Sequence, residues 1–66
     1  MYIRITFINF KQIETDIIRF SCNGNEIPLN RDIIQNCFID GDNYIKIKSD
    51  MYDIEFYVRN VLGFTV

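Results

Sequence analysis

The chain carries two thiols, Cys22 and Cys37, and no histidine. Without histidine, the usual group for moving protons near neutral pH is missing. Neither a Ser-His nor a Cys-His nucleophile pair can be assembled within one chain. The cysteines do not form a C-x-x-C pair, and a complete zinc site would need ligands from another chain. In an oxidising compartment they could form one bridge. In a reducing one they are core residues on apolar faces, where thiols are usually inert, and this is the expected reading.

The carboxylates offer no stronger chemistry. Asp40-Gly41-Asp42-Asn43 has the composition of a calcium loop, but lacks EF-hand spacing and a distal glutamate in register. A tight turn is expected there. Asp50, Asp53 and Glu55 fit loop and cross-strand positions, and a carboxylate pair for glycoside-type chemistry would need a cleft. The three glycines are isolated, so no phosphate-cradling loop is present. No catalytic, cofactor-binding or metal-binding residue is assigned, and the chain is not expected to be an enzyme.

Size points the same way. A chain of 66 residues makes one domain, 1–66, and leaves little room for a deep pocket. Its 48% hydrophobic content excludes a disordered tail. Net charge is −2, the wrong sign for a protein that grips phosphates. No segment reaches the length of a membrane span. Met1–Lys11 lacks a basic leader and a small-residue cleavage site, so a cytoplasmic protein is expected.

The elements that would position these residues follow from pattern. Ile3, Ile5 and Phe7 alternate with polar residues, as do Ile18, Phe20 and Cys22. A loop from Lys11 to Glu14 would pair Phe7 with Ile18, Ile5 with Phe20 and Ile3 with Cys22. Asn23-Gly24 is a two-residue turn signal, and Glu26–Leu29 could return as a short edge strand. Asn30 can cap a helix from Arg31 to Phe38, with Leu29 and Ile34 placed as a hydrophobic staple.

The clearest signal is a hairpin of Asp42–Lys48 with Asp53–Arg59 across Ser49–Tyr52. It opposes Lys48 to Asp53, Lys46 to Glu55, Tyr44 to Tyr57 and Asp42 to Arg59, while Ile47 meets Ile54 and Ile45 meets Phe56. A rival reading makes 50–62 a helix capped by Asp50 and ended by Gly63.

The expected fold is therefore mainly β, of the α+β class. It is a small antiparallel sheet of four or five strands in two hairpins with one short helix, in the order β-β-(β)-α-β-β. The helix could cover the sheet in a β-grasp-like manner. The alternatives are a small SH3-like barrel and the helix at 50–62.

Two surfaces are candidates for function. Ile8, Phe10 and Ile17 point away from the expected core, Ile13 sits in the adjoining loop, and Tyr44 and Tyr57 share that second face. Such a cluster exceeds what a small monomer usually leaves in water, and suits a protein interface. The tail Val61–Val66 could instead fold back over it. The other surface joins Tyr44 and Tyr57 to Lys46, Lys48 and Arg59, as a nucleic-acid-binding face would, but each of those cations has an acid opposite it. The expected function is a non-catalytic protein-interaction module, self-associating as a homo-oligomer or acting as inhibitor or adaptor of a larger protein. A phage or mobile element could encode such a module. Nucleic-acid binding is the alternative, and no membrane contact is expected.

Overall fold

The computed structural model describes all residues, Met1–Val66. The fold is mainly β, with seven strands, one α-helix and one 3-10 turn. In chain order these are β1 (Tyr2–Phe7), β2 (Gln12–Asp16), β3 (Arg19–Cys22), β4 (Asn25–Ile27), α1 (Arg31–Asn36), β5 (Tyr44–Lys48), β6 (Asp53–Tyr57), the 3-10 turn (Val58–Asn60) and β7 (Val61–Thr65). The strands divide into two antiparallel sheets, β2-β1-β7 and β4-β3-β5-β6, and no barrel closes. No helix is long and apolar enough to cross a membrane.

The C-terminal hairpin has the expected register, from Lys48↔Asp53 to Tyr44↔Tyr57. Ile45, Ile47 and Phe56 point inward and are buried, while Lys46, Lys48, Asp53 and Glu55 stay outside. Both strands are two residues shorter than expected, yet pairing continues beyond Tyr44 and Tyr57. Val58 N–H donates to the Asn43 carbonyl and Arg59 N–H to the Gly41 carbonyl, both at 3.0 Å. The loop is tied by the buried Ser49, whose hydroxyl donates to the Tyr52 carbonyl at 2.8 Å and accepts from the Tyr52 N–H at 3.1 Å. The helix considered over 50–62 does not form, because Ile54, Phe56 and Val58 alternate inward at strand period. Only Val58–Asn60 coil, as a 3-10 turn.

The N-terminal hairpin has a different partner from the expected one. β1 pairs with β2, placing Ile5 opposite Ile13 and Arg4 opposite Glu14. The outer face of this pair gains an Arg4–Glu14 ion pair at 2.7 Å and a Tyr2 hydroxyl donated to Glu14 at 2.6 Å. The chain turns at Ile8–Lys11, where Phe7 N–H donates to the Lys11 carbonyl and Lys11 N–H to Asn9 Oδ1. Ile17 and Ile18 then hand the chain from one sheet to the other. Ile17 N–H donates to the Met1 carbonyl at 2.6 Å and Ile18 N–H to the Lys48 carbonyl at 2.8 Å. β3 thus joins β5, with Phe20 opposite Ile47, rather than β1.

The middle of the chain follows its local signals. Asn23 (φ 53°) and Gly24 (φ 83°) both take the left-handed backbone that a two-residue hairpin turn requires, and Cys22 meets Asn25 across it. Asn30 caps α1, its Oδ1 accepting from Ile33 N–H at 3.1 Å. The helix ends at Asn36, two residues earlier than expected. Cys37 and Phe38 continue in tighter i→i−3 bonds to Ile34 and Gln35. Leu29, expected to staple against Ile34, is exposed, while Ile34 is fully buried.

One core serves both sheets. Ile3 and Ile5 come from β1, and Phe20, Ile45, Ile47 and Phe56 from the four-stranded sheet; Ile34 and Phe38 close it from the helical side. Phe38 joins the parts. Its ring stacks on Phe64 of β7 at 4.2 Å and reaches Phe20 and Phe56, each at 6.1 Å between centroids. Phe7 meets Phe56 edge-on at 5.2 Å.

Candidate protein interface

Each sheet has two edges, and an open edge invites another strand unless something blunts it. β2 carries Glu14 and Asp16, and β6 carries Asp53 and Glu55. β4 is three residues long and is followed by Pro28. β7 differs, because Val61–Thr65 holds no charge. Its one irregularity is at Leu62, an extra residue between the Phe7↔Val61 and Thr6↔Gly63 pairs. This bulge turns Leu62 outward, and it is 60% exposed.

Beside β7 lies an open apolar groove of about 370 Å³, lined by Phe38, Val58, Val61, Leu62, Gly63 and Phe64. None of these side chains is charged or polar. A Cβ built on Gly63 would meet nothing within 4 Å, so the chain faces open space there. The Ile8–Lys11 turn is tied to this end of the molecule by Ile8 N–H, which donates to the Asn60 carbonyl at 2.9 Å. Ile8 is 56% exposed and Phe10 is 80% exposed. Phe10 also sits at φ 66°. The left-handed region costs an L-residue with a Cβ roughly 1–2 kcal/mol, and glycine or asparagine is its ordinary occupant. A bulky aromatic there, almost wholly in water, serves neither the backbone nor the core.

The six residues expected to form one interface are thus divided. Ile8 and Phe10 lie together in the exposed turn. Ile13 is half-buried on β2, opposite Ile5 and on its inward side. Ile17, expected on the surface, is buried at 4% exposure. The expected register had placed it in a strand beside Ile8, whereas it lies at the crossing between sheets and turns into the core. Tyr44 and Tyr57 stand on the outer face of the four-stranded sheet, with ring centroids 4.8 Å apart, and do not join the turn.

That outer face also holds Lys46, Lys48 and Arg59, as expected, with Arg19 added from β3. Its charges are largely answered. Arg59 lies 4.4 Å over the Tyr57 ring and 3.2 Å from Asp42. Lys46 stands 3.8 Å from Glu55, and Arg19 stands 3.9 Å from Glu26. The Glu55 carboxylate beside the Tyr44 hydroxyl, with partial desolvation, pushes the pKa of Tyr44 above the usual phenol value. Lys48 and Asp53 are opposite one another without an ion pair within 4 Å. A shallow depression of about 260 Å³ runs among Arg19, Ser21, Lys46, Lys48, Asp53 and Glu55, where both signs of charge meet.

The groove residues Val58, Val61, Leu62 and Phe64 were not foreseen as a site. The run Val61–Val66 signals Val61, Leu62 and Phe64, but reads equally well as a cover for the core. The bulge at Leu62 decides between these by turning one side chain out, and nothing in residue type announces it. No protein-family model, curated protein or solved structure matches the chain.

Proposed function

We propose that this chain is a small non-catalytic protein-interaction module, binding a second copy of itself or a larger cytoplasmic protein that it inhibits or links. The observation that carries this reading is Phe10, a strained and 80% exposed aromatic in the turn that Ile8 ties to Asn60 at the start of β7. Strain concentrates where function holds it, and buried aromatics are the usual anchors of protein interfaces. Ile8 and Leu62 would flank Phe10 in the contact. The uncharged β7 edge would offer backbone groups to an extended segment of the partner.

Light scattering across a wide concentration range, on the native chain and on a Phe10→Asp/Leu62→Asp variant, tests this first. Both positions are exposed, so the variant should keep the native circular dichroism. Self-association that disappears in the variant supports the reading, as does native-only binding to a protein isolated from the source cell. Association unchanged by the double substitution would put the contact elsewhere.

A second reading rests on the tyrosine pair with Arg59 stacked on Tyr57. Tyr44, Lys46, Lys48, Tyr57 and Arg59 would then hold single-stranded nucleic acid. The acidic partners of these cations weigh against it. Titration with a labelled single strand at low salt separates the two readings, because phosphate binding weakens steeply with salt.

A further inference from the structure

The three-stranded sheet ends on β7, which has β1 on one side and no strand on the other. Along β1, Phe7 N–H turns toward β2, where it donates to the Lys11 carbonyl. Backbone groups alternate in direction along a strand, so Ile5 turns the same way. Phe64, opposite Ile5, therefore presents its own N–H and C=O to the open side. The strand around those groups, Val61–Thr65, carries no charge. The other edges oppose pairing with their own copies. Two β2 edges side by side would set Glu14 and Asp16 against the same acids, and two β6 edges would do so with Asp53 and Glu55. β4 offers three residues and then Pro28, which has no N–H to donate.

Building on the interaction-module reading above, we propose that the partner at β7 is a second copy of this chain, the two β7 strands pairing antiparallel about a two-fold axis. Charge selects this pairing. Neutral strand meets neutral strand, and the acidic β2 edges are carried to opposite ends of the joined sheet, β2-β1-β7-β7-β1-β2. Strand addition then stops, because every edge left is acidic or short. A two-fold contact is self-complementary and closes on itself, as most homo-oligomeric contacts do. β7 is already held in register on β1, from Arg4↔Thr65 to Phe7↔Val61, so neither copy has to order a loose segment on binding. With the axis perpendicular to the joined sheet, the core-facing sides of both copies lie on one side of it. The apolar grooves beside the two β7 strands would then adjoin across the axis.

Sedimentation equilibrium of the native chain, up to about 1 mM, should approach twice the chain mass of 7.9 kDa. Thr65→Lys puts a charge on this edge at an exposed position, so the fold should persist by circular dichroism. The variant should dimerise at least about tenfold more weakly, because like charges meet across the axis. Amide exchange of the native chain reads the same contact without a substitution, and decides the matter should Thr65→Lys misfold. Phe64 N–H should exchange more slowly as concentration rises, while the open edges of β2 and β6 keep their rates. A native chain that stays monomeric overturns the proposal. So does a dimer whose Phe64 N–H exchanges no more slowly than the monomer's, or a folded Thr65→Lys that dimerises undiminished. Those outcomes leave the wider reading standing. That reading fails separately, when Phe10→Asp/Leu62→Asp still binds every partner that the native chain binds.

Discussion

Phe38 is the side chain whose loss should separate the two sheets. It stacks on Phe64 of the three-stranded sheet and reaches Phe20 and Phe56 of the four-stranded one, at 8% exposure. Truncating a buried phenylalanine to alanine costs about 3–5 kcal/mol, transfer and cavity together. A domain of 66 residues has roughly 3–10 kcal/mol to lose. Phe38→Ala should therefore remove a third of the stability or all of it. With a urea slope of about 1 kcal/mol/M for so small a chain, the midpoint should fall by about 3–5 M or vanish below zero denaturant. Phe38→Leu keeps most of the volume and should cost about 1.5 kcal/mol. The chain has four tyrosines and no tryptophan, so near-ultraviolet tyrosine circular dichroism is the natural probe of packing, beside far-ultraviolet signal for the strands. A loss below about 1 kcal/mol in Phe38→Ala would refute the reasoning, because a position that joined the sheets could not be emptied so cheaply.

Two further outcomes follow from local geometry. The Tyr2 hydroxyl and the Arg4 guanidinium hold the Glu14 carboxyl below its ordinary value of 4.5. The stabilising contact is thus fully present above that value and lost as pH falls through the lower folded one. Thermal melts should show Glu14→Gln less stable than the native chain at neutral pH, with the gap closing in acid; a gap that widened in acid would contradict the assignment. Phe10→Asn relieves the backbone at φ 66° while giving up almost no buried surface. Urea titration should show it more stable by about 1 kcal/mol, and light scattering should show association weakened; a destabilised variant would mean the ring packs where it is held to be free.

The sequence disclosed those parts of the fold where several local preferences coincide. Lys46 opposite Glu55 and Tyr44 opposite Tyr57 come out together from one register, so the β5–β6 hairpin was legible in full. Asn23-Gly24 and the Asn30 cap were legible because each residue type has one backbone role that suits it best. The first hairpin was hidden by Phe10. Its turn depends on a left-handed phenylalanine, a choice that turn chemistry argues against, so Asn9 was passed over as the turn residue. The division into two sheets was hidden at Ile17-Ile18, where side-chain alternation runs on into β3 while the hydrogen bonds change partner. β7 escaped notice because its bulge breaks the alternation that would have marked it. Of the expected interface, Ile8 and Phe10 were legible as surplus apolar residues, whereas Ile17 depended on the register that failed.

The groove and the core are not independent, because Phe38, Val58 and Phe64 belong to both. A partner seated on the groove would rest against the same rings that hold β7 to the four-stranded sheet. It would bind the folded chain and not the unfolded one, so occupancy adds to stability by mass action, about 2.7 kcal/mol at a hundred times Kd. For a domain with a margin of only several kcal/mol, that increment is a large share of the whole. On the proposed reading, the position of the groove would therefore couple recognition to folding. A substitution that loosens the Phe38–Phe64 stack should weaken binding even though it leaves Ile8, Phe10 and Leu62 in place, and a saturating partner should restore much of the stability that the substitution removes.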